Sequence, residues 1–438
     1  MAGPRHVVRP RPASAASEYL RIAPLLILAL ALLMPAEVRV ALAGQTLYAY
    51  RIAWIALLPF VFFQFSRGAM QFRANDLFVT IGAGWITVSF VANYGAVIGI
   101  PSGIGASLDL IAPYFIARAS IRNMNDFRRL MIILSPVVFV FAVLMPVEGV
   151  TQSRFIRDAA AAAFGSLGTS EYGQTSAFRI ATDTRMGLLR AMGPFSHPIL
   201  AGVFFSTLLP IYYFSKTRGI PRFLGFSAGF AAFFSLSSAA ILGVVLFIAL
   251  AIYDYLRRVV SFLSWPLFLG SVAALFAVLH VVSKNGILSV LIRFTMDPAT
   301  GLYRLLIWEY GGKSVVRHPL FGIGYQKFEA LAWMGDSIDT LWLHLAVRSG
   351  LPSALFLLLA TLWAVAGTAL TAGRRSDPDH STLIGLSIAL AILAIAAFSV
   401  SFFGGMLTWY AMLLGIGSTL GTVKAEPQPQ RRAIIRRI

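Results

Sequence analysis

Apolar residues along this chain come in runs about as long as a membrane is thick, with polar residues gathered in the gaps between them. A bilayer core takes about 20 apolar residues per helix. On that measure spans are predicted near 21–36, 46–65, 77–95, 103–120, 130–147, 198–215, 223–237, 239–256, 260–281, 340–370, 382–403 and 405–422, twelve in all. The turn signal dividing 223–237 from 239–256 is Ser-Leu-Ser-Ser at 235–238. Two gaps, 148–197 and 282–339, are far longer than the rest. Loops beyond about 12–15 residues with no structure of their own usually carry function.

The pattern predicts an all-α polytopic membrane protein, and the composition agrees. The 438 residues are 58% hydrophobic and 12% charged, with a mean hydropathy of +0.77, whereas soluble domains carry about 25% charged residues. The formal net charge is +18, which first suggests nucleic acid, but the positions of the cations say otherwise. They fall in alternate gaps: Arg67 and Arg73; Arg118, Arg122, Arg128 and Arg129; Lys216, Arg218 and Arg222; Arg257 and Arg258; Arg374 and Arg375. The tails, 1–20 and 423–438, are basic as well and read as disordered. By the positive-inside rule this face is cytoplasmic, with both termini on it. The charge therefore reports topology and contact with anionic lipid, not nucleic acid.

Residues 21–147 then hold helices one to five, 198–281 hold six to nine and 340–422 hold ten to twelve. The long gaps lie outside, and there cations mix with acids: Arg154, Arg157, Arg179, Arg185 and Arg190 among Glu148, Asp158, Glu171 and Asp183. The second gap has Lys284, Arg293, Arg304, Lys313, Arg317 and Lys327 with Asp297, Glu309, Glu329 and Asp336. The chain has no cysteine, which excludes thiolate catalysis, Cys-ligated zinc and disulfides. Its six histidines are scattered without the spacing of a zinc site, so no metal or other cofactor is expected.

Three stretches carry candidate chemistry. "RAMGPFSHPILAG" (190–202) closes the first gap; Pro198 suits the first position of a helix, and His197 stands either at that start or in a site. Arg190 lies beside the bilayer, where a planar guanidinium favours a phosphate or carboxylate partner. "TGLYRLLIWEYGGKSVVRHPLFGIGYQKF" (300–328) opens as a helix with Arg304, Trp308 and Gly311 on one side, and is expected to stop at Gly311-Gly312. His318-Pro319 and Gly322-Ile-Gly324 then form turns; no dinucleotide fingerprint surrounds them, and the glycines are expected to permit a tight bend beside a site. "SIDTLWLHLAVRSGLP" (337–352) puts Asp339-Thr340 at a helix start, as an N-cap or as a functional acid. His344 and Arg348 share a helix face, and Gly350-Leu-Pro352 kinks or restarts the helix. Asp109 is an intramembrane acid, functional or paired with an arginine.

The order of "RAMGPFSHP", "GLYRLLIW", "HPLFGIGYQKF" and an acid ahead of a helix ending in "SGLP" resembles the O-antigen ligase and polysaccharide polymerase family of bacterial envelopes. The motifs cover about 185–370, and the topology covers the whole chain. The resemblance implies a GT-C-like, metal-independent glycosyltransferase in the inner membrane with a periplasmic site. Its donor and acceptor would be glycans on undecaprenyl pyrophosphate, with a flippase and a chain-length regulator as partners. It implies that Arg190 and Arg304 hold the pyrophosphate. The acceptor hydroxyl must also lose a proton, and a carboxylate at the loop–membrane boundary suits that task, which points to Asp339 as the catalytic base, with His197, His318, His344, Arg348 and Asp109 as accessory candidates. Family ligases carry a His, usually His-Asn, ahead of the glycine matched by Gly350. Asp339-Thr340 departs from that and is similar to the exopolysaccharide-polymerase branch. Two alternatives remain: ligation of glycan to lipid A core or protein, and a polysaccharide transporter or flippase. A major-facilitator transporter would carry a G-x-x-x-D-R-x-G-R-like loop where this chain has "SRGAMQFRAND".

Overall fold

The computed structural model describes residues 15–42, 45–166, 184–282, 298–375 and 379–422. Most of both basic tails lies outside that set, as do Glu171, Arg179, Asp183, Lys284, Arg293 and Asp297. The chain is an all-α membrane protein, 75% helical. Among the described residues, six helices are long and apolar enough to cross a bilayer.

The elements, in order, are α1 (Ala15–Leu32), a hairpin of β1 (Arg39–Leu42) and β2 (Gln45–Tyr48), α2 (Ala49–Ser66), α3 (Ala74–Ser120), α4 (Met124–Thr151) and α5 (Phe155–Phe164). A second small hairpin, β3 (Thr184–Arg185) and β4 (Leu188–Leu189), leads to α6 (Pro198–Phe214). Then come α7 (Ile220–Gly229) with a 3-10 turn at Phe230–Ser235, α8 (Ser238–Val259), α9 (Trp265–Val282), α10 (Pro298–Arg317), α11 (Leu341–Ser349), α12 (Leu351–Gly373), α13 (Asp379–Ala396) and α14 (Gly405–Leu420).

The break between α7 and α8 falls at Ser235–Ser238, where Leu236 turns left-handed at φ 45°. The spans expected at 77–95 and 103–120 are two arms of the single element α3. Gly95, at φ 73°, is its one non-helical residue. The second arm runs back along the first: the Ser107 hydroxyl lies 2.8 Å from that of Thr87 and donates to the Ala83 carbonyl at 2.6 Å. Gly99 and Gly103 lie where a Cβ would strike the backbone at Phe90, Val91 and Thr87. Lipid gives helices no hydrophobic reason to associate, so close approach through small residues holds such arms together. Residues 96–102, expected as a loop, are helical because the reversal takes only Gly95. The span expected at 340–370 is divided at Gly350 into α11 and α12, and 382–403 ends early, at Ala396.

At the end of the bundle nearest the chain termini, arginines pair with acids at helix ends. Arg118 meets Asp76 at 2.7 Å, and both are buried. Arg128 meets Asp379 at 2.6 Å, Arg257 meets Asp254 at 2.6 Å, and Arg21 and Arg258 pair with Asp126 and Asp254. Unpaired charge is costly beside hydrocarbon, so these acids neutralise cations where they stand. Part of the basic excess assigned from sequence to anionic lipid is therefore spent inside the protein. The opposite end carries the long segments, and the candidate residues gather there.

Candidate functional site

The second long segment begins with α10. It passes through Gly311-Gly312 and ends at Arg317, so the expected stop at the glycine pair is wrong. A Cβ on Gly311 would press on the Leu343 side chain at 2.9 Å, so this glycine serves packing against α11. The helix ends where His318 precedes Pro319, because the proline ring disfavours helical backbone in the residue before it. His318 itself is exposed.

The turns that follow are stitched to the last turn of α11. Ile323 N–H donates to the Val347 carbonyl at 2.8 Å, and Gly324 N–H to the Arg348 carbonyl at 3.0 Å. Leu351 N–H donates to the Pro319 carbonyl at 2.7 Å. Helix ends leave carbonyls without partners, and here the loop's amides satisfy them. Such close backbone approach requires glycine: Gly322 (φ 59°) and Gly350 (φ 89°) are left-handed, and a Cβ on either would strike main-chain atoms of the other strand. Arg348 completes the clamp, donating to the carbonyls of Gly324 at 2.9 Å, Gln326 at 2.5 Å and Asp336 at 3.2 Å. Its role here is to hold the loop. His344, one turn earlier on the same face of α11, is half-buried.

The first arm of α3 provides the seat. Trp85 Nε1 donates to the Leu320 carbonyl at 2.8 Å, and its ring stacks on Phe321 with centroids 5.6 Å apart. Ser89 and Asn93 donate to the Phe321 carbonyl at 2.5 and 3.0 Å, and the Tyr94 hydroxyl accepts from Tyr325 N–H. The 318–326 turns are thus tied to both α11 and α3.

Asp339 lies beyond this clamp. The N-cap position of α11 belongs to Thr340, which makes no side-chain cap, so the N-cap expectation for Asp339 is not met. The half-buried carboxylate accepts from the Ser337 hydroxyl at 3.1 Å. Leu341 N–H, one of the orphan donors of the new helix, is satisfied by the carbonyls of Ala397 and Val400 at 2.9 and 3.1 Å. The Thr340 hydroxyl is fully buried and has no hydrogen-bond partner among the described residues. Arg304 is part-buried on α10, and its neighbour Tyr303 accepts from Gly335 N–H at 3.0 Å. Trp308 Nε1 donates to the Phe398 carbonyl at 3.2 Å, and Gly311 packs against Leu343.

Arg190 occupies a second nest at the same end. It is 5% exposed, and its Nε donates to the Ser235 carbonyl at 3.2 Å. Ala191 N–H donates to the Phe234 carbonyl at 3.0 Å. Glu148, at the end of α4, accepts the N–H groups of Met192 and Gly193 at 3.1 and 2.9 Å, fixing the turn from the other side. Arg157 pairs with Glu37 beside it, with Nε 2.8 Å from the carboxylate. His197 does cap a helix: its Nδ1 accepts from Ile199 N–H at 3.2 Å, with Pro198 opening α6. Asp109 is paired with Arg51, whose Nε and Nη2 reach its two oxygens at 3.0 and 2.6 Å.

Arg190 and Arg304 therefore belong to separate folded segments at one end of the bundle, and Asp339 to the edge of the second. Sequence reasoning missed Glu148 as an anchor and Arg51 altogether. The signals were an acid at the last turn of a span and a buried Asp109 in need of a cation. No family model matches the chain, and no curated protein matches it.

Proposed function

We propose that this protein polymerises undecaprenyl-pyrophosphate-linked oligosaccharide repeats into surface polysaccharide at the periplasmic face of the bacterial inner membrane, as a GT-C-like enzyme of twelve crossings. The observation that carries this reading is the position of Asp339, half-buried at the edge of a fixed loop and not committed to capping α11. The twelve crossings rest on six long apolar helices, on shorter apolar ones at Tyr19–Leu32, Pro198–Phe214, Ile220–Ser235 and Gly405–Leu420, on α9 at Trp265–Val282, and on the reversal of α3 at Gly95.

Cleavage of a glycosyl–pyrophosphate bond builds negative charge on the leaving group and positive charge on the sugar. Preorganised guanidinium donors stabilise the leaving group, the role given to Arg190 and Arg304. The acceptor hydroxyl loses its proton to Asp339. Neither step requires a metal or a nucleotide sugar. The clamp made by Arg348, Gly322 and Gly350 fixes the loop ahead of the acid.

Reconstitution tests this directly. Purified protein in liposomes, given undecaprenyl-pyrophosphate-linked repeats alone, should yield a ladder of lengthened glycans. Arg304→Lys, which keeps a charge and loses the bidentate fork, should remove most of that ladder while still inserting. Transfer to lipid A core without lengthening would replace polymerisation with ligation. No product with either acceptor would remove the enzyme reading.

A further inference from the structure

At the end of the bundle nearest the chain termini, Arg21, Arg118, Arg128, Arg257 and Arg258 all meet acids. One turn at that end does not follow the pattern. Between the end of α6 at Phe214 and the start of α7 at Ile220 stand Lys216 and Arg218, and Arg222 follows in the first turn of α7. All three are exposed. Between Asp183 and Asp254 the chain has neither Asp nor Glu. Arg128 ties this turn to its end of the bundle, donating to the Ser215 carbonyl at 3.0 Å. The acid beside it, Asp379, is already shared by Arg128 and Arg375 at 2.6 and 3.3 Å. Among the described residues, the Lys216 and Arg218 side chains make no ion pair or hydrogen bond.

Contacts place Arg222 on the same turn. Its Nη2 donates to the Tyr213 carbonyl at 3.0 Å and its guanidinium lies 5.9 Å from the Tyr213 ring, so the side chain folds back over the end of α6. Positive charge at the start of a helix opposes the macrodipole, so these cations do not serve to stabilise α7. From Tyr213 an aromatic track leads away from the charges. The Tyr213 ring meets Phe226 at 5.9 Å, Phe226 meets Phe230 edge-on at 5.4 Å, and Phe230 stacks with Phe233 at 6.4 Å. Phe223, Phe226 and Phe230 follow the i, i+3, i+7 spacing of one helix face. Tyr213, Phe223, Phe230 and Phe233 are exposed. From Phe223 to Phe233 the helix and its 3-10 turn advance roughly 16 Å, about the depth of one leaflet.

We propose that Lys216, Arg218 and Arg222 hold the phosphate head of an anionic phospholipid, one of whose hydrocarbon chains follows the aromatic track from Tyr213 to Phe233. Guanidinium donors match phosphate oxygens, and each cation at an anionic head contributes about fivefold in affinity. The occupant is a lipid because the cations and the track are continuous, joined where Arg222 lies over Tyr213. The site is at the opposite end of the bundle from Arg190, Arg304 and Asp339 and does not depend on glycosyl transfer.

Native mass spectrometry of the full-length protein in detergent tests it with phosphatidylglycerol against phosphatidylcholine of the same chains. Wild type should retain phosphatidylglycerol at least tenfold more strongly, and equal retention of the two lipids overturns the site. Lys216→Gln combined with Arg218→Gln and Arg222→Gln should lower phosphatidylglycerol retention at least tenfold. Unchanged retention in that folded variant overturns the site. If it does not fold, Lys216→Gln with Arg218→Gln, which breaks no side-chain bond among the described residues, decides in the same way. Phe223→Ala should weaken retention about two- to tenfold by removing apolar contact area, and no change there overturns the path of the chain. Arg67→Gln removes an exposed cation at the same end, set over Phe63 at 4.0 Å, and should leave retention in place. A loss in Arg67→Gln as large as in the turn variants would reduce the effect to general surface charge and overturn the site.

Discussion

Asp339→Asn separates a general base from a structural acid by orders of magnitude. The asparagine has nearly the same shape, and its side-chain oxygen can still accept from the Ser337 hydroxyl now 3.1 Å away. No cap is lost, because Thr340 holds the N-cap position of α11 and Leu341 N–H is satisfied by Ala397 and Val400. The structural cost should stay within about 0.5 kcal/mol, the range for substitutions away from packed or bonded features. Loss of a general base lowers rate by about 10²–10⁴-fold, or about 3–5 kcal/mol of barrier. Two measurements are needed: the length distribution of lipid-linked and surface glycan on gels, and thermal unfolding of the purified variant. A disabled polymerase leaves single repeats, whereas a disabled ligase leaves long chains stranded on undecaprenyl pyrophosphate. Wild-type chain lengths from a normally folded Asp339→Asn protein would refute the base assignment.

Two further perturbations probe the clamp. Gly350→Ala places a side chain at φ 89° against the Leu320 carbonyl, costing on the order of 1–3 kcal/mol in backbone strain alone. It should expose the 318–326 turns to protease and shorten the glycan. Gly312→Ala, in helix with open space around it, should do neither, and equal behaviour of the two would refute the backbone-docking account.

The helices were legible because lipid imposes one rule, a run of apolar residues long enough to satisfy every backbone group internally. The Ser-Leu-Ser-Ser turn signal marked the break at Ser235–Ser238, and the cost of a lone charge in lipid marked Asp109 as an acid that is functional or paired with an arginine. The helix-stop reading failed at Gly311-Gly312 because glycine has two opposite meanings in such a chain. It can end a helix, or it can admit a neighbour, and only the position of Leu343 decides between them.

The candidate site was harder to read because its supports are remote in sequence. The loop at Leu320–Tyr325 is held by Trp85, Ser89, Asn93 and Tyr94, more than 200 residues earlier. A motif reading saw His-Pro and Gly-Ile-Gly as parts of a site, but their backbones are spent on α11 and α3. The same accounting changes the meaning of Arg348, which looked like a free cation and is a clamp, and of Asp339, which looked like a cap and is not one. In this long segment each polar group used by the fold is removed from the list of those able to meet a substrate. The acid that the fold leaves uncommitted is therefore a better candidate for chemistry than any of the more conspicuous motif residues around it.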